Sequence, residues 1–292
     1  MSIDVLQDKI RKLKNPSMVD LALAAADLPA VLLEQEGSAA KAYGRFCLEM
    51  LENLKTVVPA IRVSFTAFAL MGPEGLEQLS DVLKVAKNQG YYVALEAPYV
   101  LSPMMAQATA DAVFGEEALY PCDGLILSAY PGSDVIKPFL PYVKDGMKDI
   151  FPVVRTSNKT APEIQDLLTG SRLVHAAAAD LINRFGGDNA GKTGYSRVGI
   201  LAGANSADSL KTLRTKYPRL FIMVDDMDYS GCNAKICGNA FDKLGHGAVV
   251  CAGPTVTMAW KLNEADAGEY LAQAKAAAER MKKNLIRYTT VL

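Results

Sequence analysis

A chain of 292 residues can bury a full core and fits one large α/β domain or two smaller ones. Half of the residues are hydrophobic, 22% are charged, and 31 Lys and Arg offset 32 Asp and Glu, which is the balance of an ordinary globular protein and leaves no basic excess for nucleic acid or an anionic membrane. Five scattered cysteines, a start without a basic-then-apolar leader and the lack of a long uncharged apolar run together imply reduced thiols, a cytoplasmic location and no membrane span.

Asp4 to Asn15 places Val5, Leu6, Ile10 and Leu13 at helical spacing and stops at Asn15-Pro16. Met18 to Ala24 reads as a first apolar strand. Ala39 to Leu54 repeats with helical period through Tyr43, Phe46, Cys47, Met50, Leu51 and Leu54, and Val57 to Val63 follows as a second strand. Gly75 to Gln89 is a helix ended by Gly90. Tyr91 to Ala97 is the third strand, and its last charge, Glu96, would sit at the carboxyl edge of a parallel sheet, where α/β proteins mount their chemistry.

Met104 to Phe114 is a short helix, Gly124 to Ser128 a fourth strand, Val135 to Val143 a helix and Ile150 to Arg155 a fifth strand. Pro162, at a first helical position, opens a segment that continues through Leu173 to Phe185. The Gly-Lys-Thr within Gly186 to Gly194 follows a helix and precedes the sixth strand, Val198 to Ala202; a phosphate loop follows a strand and opens a helix, so nucleotide binding is not expected there. The helix Ala207 to Tyr217, the strand Leu220 to Val224, the helix Asn233 to Leu244, the strand Ala248 to Ala252 and the helix Ala265 to Leu285 complete the chain. Eight β-α units without a linker predict a single (β/α)8 barrel domain over residues 1–292; a doubly wound open sheet has the same periodicity.

Several stretches together resemble the orotidine 5′-phosphate decarboxylases, in particular their longer bacterial branch. They are Val58-Pro59-Ala60-Ile61-Arg62 with Gly72-Pro73-Glu74-Gly75-Leu76, then Asp123-Gly124 and Tyr130-Pro131-Gly132-Ser133-Asp134 with Pro138-Phe139-Leu140. The strongest is Val153-Val154-Arg155-Thr156-Ser157-Asn158 followed by Glu163-Ile164-Gln165-Asp166-Leu167, with weaker echoes through Gly199 to Gly203 and Gly247 to Val250. The resemblance implies a dimeric barrel that removes carbon dioxide from a pyrimidine without a cofactor, in pyrimidine biosynthesis. That chemistry needs carboxylates against the departing group and an ammonium that stabilises and then protonates the carbanion.

The positions matching the family's catalytic set read Ala22, Arg62, Glu96, Pro98 and Leu101. Pro98 has no proton to give, the Arg62 guanidinium is too poor an acid to replace an ammonium, and Glu96 reads as the structural partner of Arg62. The family's phosphate grip matches Asp225 to Gly231 and Ala252-Gly253-Pro254-Thr255, where carboxylates would repel a phosphate dianion. The resemblance therefore implies a decarboxylase-fold barrel whose catalysis is lost, with a structural or regulatory role, as a homodimer or a heterodimer with a paralogue through the barrel mouth. Two other outcomes stand beside it: altered chemistry on a small non-phosphorylated or metal-assisted substrate, and the decarboxylase activity itself.

Thr156, Ser157 and Asp134 are the ligand-binding candidates that the resemblance leaves, although Ser and Asn after a strand also serve loop geometry and helix capping. Asp225, Asp226 and Asp228 offer oxygen ligands to a divalent cation or form a solvated acidic turn. Otherwise no cofactor is expected. His175 and His246, the two histidines, lie away from the mouth, and Cys251 at the end of the eighth strand has no base near it in sequence. Tyr99, Val100, Leu101, Met104 and Met105 form an apolar stretch suited to an interface.

Overall fold

The computed structural model describes residues 2–96, 100–227 and 232–290. Among them eight parallel strands close into a barrel: β1 Ser17–Leu21, β2 Ala60–Ser64, β3 Tyr92–Glu96, β4 Gly124–Ser128, β5 Asp149–Arg155, β6 Ser196–Gly203, β7 Leu220–Asp225 and β8 Ala248–Ala252. Closure is direct, because β1 pairs in parallel with β2 on one side (Asp20 opposite Arg62) and with β8 on the other (Met18 opposite Cys251). Helices between the strands cover the outside, as the β-α periodicity predicts.

Side chains alternate between two layers because strand residues have period two. Val19, Ile61, Val63, Val93, Leu95, Ile222 and Val224 pack outward against the helices. Met18, Ala60, Tyr92, Ala94, Phe151, Phe221, Met223, Val249 and Cys251 fill the lumen. Rings of this size fit because β4 and β6 carry glycine opposite them: a Cβ on Gly124 would meet the Tyr92 hydroxyl at 2.5 Å, and one on Gly199 would meet Phe151 at 2.9 Å.

The helix Ile3–Leu13 plugs the amino-terminal end of the barrel, burying Ile3, Leu6 and Ile10 in the lumen cluster. Each such side chain contributes about 1.5–3 kcal/mol when fully buried. The helix ends where Lys14 turns left-handed, at φ 48°. Asn15 then stitches the entry of β1, donating to Val57 O at 2.6 Å and accepting from Ser17 N–H at 3.1 Å. At this same end Asp4 takes Thr193 N–H and Thr193 Oγ1 at 3.0 and 2.9 Å, so a carboxylate, not a phosphate, occupies the Gly-Lys-Thr turn.

Several expected elements are corrected. β1 ends at Leu21, not Ala24, because the Tyr43 hydroxyl accepts from Leu23 N–H at 3.1 Å and donates to Leu21 O at 2.8 Å, bending the chain off the sheet. A helix, Ala30–Glu36, precedes the predicted Ala39–Leu54. The segment opened by Pro162 is not continuous: a four-residue helix, Pro162–Gln165, gives way to a two-stranded hairpin (168–169 with 172–173) turned by Gly170 at φ 65°, and only then to the helix Val174–Gly186. The predicted helix Asn233 to Leu244 spans only Ala234–Gly238, since Asp242 ties the next residues into a turn through the Leu244 and His246 N–H groups. None of the helices is long and apolar enough to cross a membrane among the described residues.

Candidate functional site

The alternation that puts Met18, Ala60, Ala94 and Met223 inside the barrel puts the next inward residues at its carboxyl-terminal mouth. These are Asp20, Arg62, Glu96 and Asp225. Arg62 Nη2 donates to Asp20 Oδ2 at 2.5 Å and Arg62 Nη1 to Asp225 Oδ1, with all three side chains at most 15% exposed. Asp20 is on the neighbouring strand, whereas Asp225 is three strands away around the ring, so its bond to Arg62 crosses the lumen. Burial works against the guanidinium charge, but the fields of Asp20 and Asp225 outweigh it and hold Arg62 above its ordinary value. Ser157 Oγ donates to the second oxygen of Asp225 at 3.1 Å.

Glu96 was expected to be the partner of Arg62, and this is corrected. The carboxylates that take the two Nη groups are Asp20 and Asp225, and Glu96 enters as a neighbouring charge. Burial raises the Glu96 carboxyl above the usual carboxylate range; Arg62 and a hydrogen bond with Ser64 pull it back, while Asp20 and Asp225 push it further up. Beneath them burial pushes the Cys251 thiol up, and its Sγ packs 3.6 Å from Met18 Sδ.

Beside this cluster the mouth holds a cavity of about 320 Å³. Glu96, Ser128, Tyr130, Thr156 and Gln165 give it polar edges; Val100, Leu101, Ile126 and Val153 give it an apolar wall. Among the described residues Glu96 is the one charged group in the lining, so their part of the cavity has an acidic end and no cation.

The loop after β5 is held from behind. Arg155, 3% exposed, grips Asp166 with Nε and Nη2 at 3.2 and 3.1 Å and also donates to Asn205 Oδ1. That grip holds the Asp166 carboxyl below its ordinary value. Asn205 Nδ2 donates to Ser157 O at 2.9 Å and Asn158 O at 3.2 Å, and Gln165 bridges Thr156 N–H and Thr156 Oγ1, both at 2.8 Å. The loop lies flat on β6 because residue 203 is glycine: a Cβ there would sit 2.5 Å from Thr156 O.

Of the predicted ligand candidates, Thr156 lines the cavity but its hydroxyl already donates to Asn158 Oδ1 at 2.5 Å and accepts from Gln165. Ser157 belongs to the Arg62 cluster, and Asp134 is exposed and paired with Lys137 at 3.6 Å. Ala22 follows β1, and Leu101 is 69% exposed on the rim. Pro98 and Asp228 lie outside the described residues. Asp225 of the proposed metal set is engaged by Arg62 and Ser157, and among the described residues no group of three or more His, Cys, Asp or Glu is placed to hold a metal ion. His175 is buried behind the mouth, 3.0 Å from Asp166 Oδ1, and His246 is in the turn before β8.

Sequence reasoning missed Asp20, whose charge was absorbed into an apolar strand. Strand parity would have found it: counting in twos from Met18 gives Asp20 the same inward face as Arg62 on the adjacent strand.

No protein-family model matches the chain. Among curated proteins it is 28% identical over 260 residues to the orotidine 5′-phosphate decarboxylase of Rhodopirellula baltica, covering 86% of each chain. It is 25% identical over 288 residues to that of Clostridium kluyveri, covering 98% of each. Among solved structures, the Leishmania donovani OMP decarboxylase superposes with a TM-score of 0.75 at 23% identity, covering 99% of this chain and 98% of that one. A Streptomyces avermitilis structure titled a putative orotidine 5′-phosphate decarboxylase gives 0.77 at 19% identity, covering 99% and 97%. These relatives match along nearly the whole length and the solved structures share the fold, so the chain is similar throughout to the orotidine 5′-phosphate decarboxylases.

Proposed function

We propose that this barrel does not decarboxylate orotidine 5′-phosphate and that its mouth instead binds a small, non-phosphorylated molecule in a structural or regulatory role. The observation that carries the reading is the clamp on Arg62. The cation on β2 is spent on Asp20 and Asp225, so it presents no free positive field to an anionic substrate or a developing carbanion. A guanidinium held between two carboxylates is also a poorer proton donor than an isolated one, because its pKa is pushed up. With Glu96 as the one charged group lining the cavity among the described residues, a phosphate dianion or an orotate carboxylate would meet net repulsion. A neutral or cationic molecule with an apolar body fits the wall of Val100, Ile126 and Val153 and can hydrogen-bond Glu96 and Ser128. The exposed Leu101, Met104 and Met105 on the rim favour a second subunit over the mouth, a copy of this chain or a paralogue.

A second reading is the activity itself: orotidine 5′-phosphate decarboxylase, a lyase of pyrimidine biosynthesis. The relatives' names favour it, since proteins so named match up to 98% of the chain. One assay separates the two. Purified protein incubated with orotidine 5′-phosphate is expected to release carbon dioxide at the uncatalysed rate, and turnover above that rate establishes the second reading. In parallel, thermal shift with uridine monophosphate, uridine and orotate reads the mouth directly, because a ligand of the folded state raises its melting temperature. Uridine monophosphate and orotate are expected to give no shift, and a shift with either would overturn the proposed repulsion.

A further inference from the structure

Cys232 and Cys237 flank the start of the helix Ala234–Gly238, which follows β7. Asn233 is the N-cap, its side chain accepting from Ile236 N–H at 3.1 Å. Cys232 is thus the residue before the cap and Cys237 the fourth of the helix, the two positions that an apolar pair joins to fix how a chain enters a helix. Here the pair is two thiols, and their Sγ atoms are 3.7 Å apart. Cys237 is fully buried and Cys232 is partly exposed, whereas Cys47, Cys122 and Cys251 are buried. The fold therefore brings one accessible thiol against one inaccessible thiol.

We propose that Cys232 and Cys237 form an oxidation site that closes to an intramolecular disulfide by exchange with a low-molecular-weight disulfide. In the first step the Cys232 thiolate attacks one sulfur of the external disulfide, forming a mixed disulfide and releasing one thiol. In the second, the Cys237 thiolate attacks the Cys232 sulfur and releases the other. The protein pair loses two electrons and two protons, and the external disulfide is reduced to two thiols. The sulfurs must close from 3.7 Å to about 2.05 Å, a movement that side-chain rotation and small backbone adjustment supply. The order follows from exposure, since an external disulfide reaches only the outer thiol. Closure replaces a non-covalent contact with a bond at Cys232, seven residues after Asp225, the carboxylate that clamps Arg62.

The test uses the whole protein with glutathione disulfide as the probe, followed by native alkylation with N-ethylmaleimide, trypsin digestion and mass spectrometry. Cleavage after Lys235 separates the two cysteines, so the expected product is a pair of peptides joined through sulfur that separates on reduction. Cys237→Ser is expected to accumulate a stable glutathione adduct at Cys232, because nothing resolves it. Cys232→Ser is expected to leave residue 237 unmodified. A persistent adduct at Cys232 in the unaltered protein, a link between two molecules, or a Cys232 thiol still open to alkylation after oxidation would each overturn the proposal.

Discussion

Arg62 and Asp225 stand on strands three apart around the barrel and are joined across the lumen, while Asp20 holds the same guanidinium from the adjacent strand. Three charges deep in a barrel are costly to desolvate, and the clamp is tolerated because each carboxylate meets a nitrogen of a planar fork. The arrangement closes the side of the mouth on which a cation would otherwise face the ligand.

Removing the cation alone exposes the desolvation cost. Arg62→Met should destabilise the protein by about 3–5 kcal/mol, because Asp20 and Asp225 remain buried without a counter-charge. Combining it with Asp20→Asn and Asp225→Asn should recover much of the loss. Urea unfolding of the single and triple variants checks this, and an Arg62→Met protein as stable as the original would mean that the clamp is not formed in solution.

Glu96 should behave as a carboxyl that resists ionisation. Its folded pKa is raised, so the folded state binds its proton more tightly than the unfolded chain does and the associated stability is lost as pH rises past the ordinary carboxylate value. Glu96→Gln should therefore gain stability relative to the original protein, and more at pH 8 than at pH 4. Melting temperatures of both proteins across that range decide it; an advantage that shrinks with pH would show that Glu96 is stabilised as an anion.

The barrel was legible because parallel strands buried on both faces read as short apolar runs, and eight of them with intervening helical periods leave few architectures. The clamp was only half legible. Arg62 and Glu96 stood out at strand ends, but pairing depends on which charges share the lumen, and Asp20 is reached only by counting strand parity across neighbours. The hairpin within residues 168–173 was hidden because its two-residue strands carry no periodic signal, and Gly170 was not read as a break. Thr156 and Ser157 were visible as hydroxyls, yet whether a hydroxyl faces a ligand or its own loop turns on Gln165, Asn205 and Asp225, which are distant in sequence or unremarkable within it.

That loop gives a third prediction. Asn205→Ala removes the amide that satisfies Ser157 O and Asn158 O and one acceptor of Arg155, and should cost about 1–3 kcal/mol. Thr156→Val should likewise lower the melting temperature by disconnecting Gln165. If Thr156 serves the loop, a ligand found by thermal shift should keep its affinity in Thr156→Val within a factor of two or three. A tenfold loss of affinity, about 1.4 kcal/mol, would make Thr156 a ligand contact instead.

The opposite end of the barrel supplies a pH dependence with no bearing on the mouth. Asp149 opens β5, is fully buried, and accepts the Tyr92 hydroxyl at 2.7 Å. Burial pushes its carboxyl up to about 8, although the bonds from Tyr92 and Ile3 N–H favour the anion. An unfolded Asp ionises near 3.9, so between that value and about 8 the unfolded chain releases a proton that the folded protein keeps. Stability from this group is complete below pH 4, falls by about 1.4 kcal/mol per pH unit through the window, and levels off above it. Asp149→Asn keeps an acceptor for Tyr92 and cannot ionise, so its unfolding free energy should overtake that of the original protein as pH rises from 4 to 8. Urea titrations of the two proteins at one-unit intervals measure the difference directly. A difference independent of pH would mean that Asp149 titrates alike in both states, and one of opposite slope that the Tyr92 and Ile3 bonds outweigh burial.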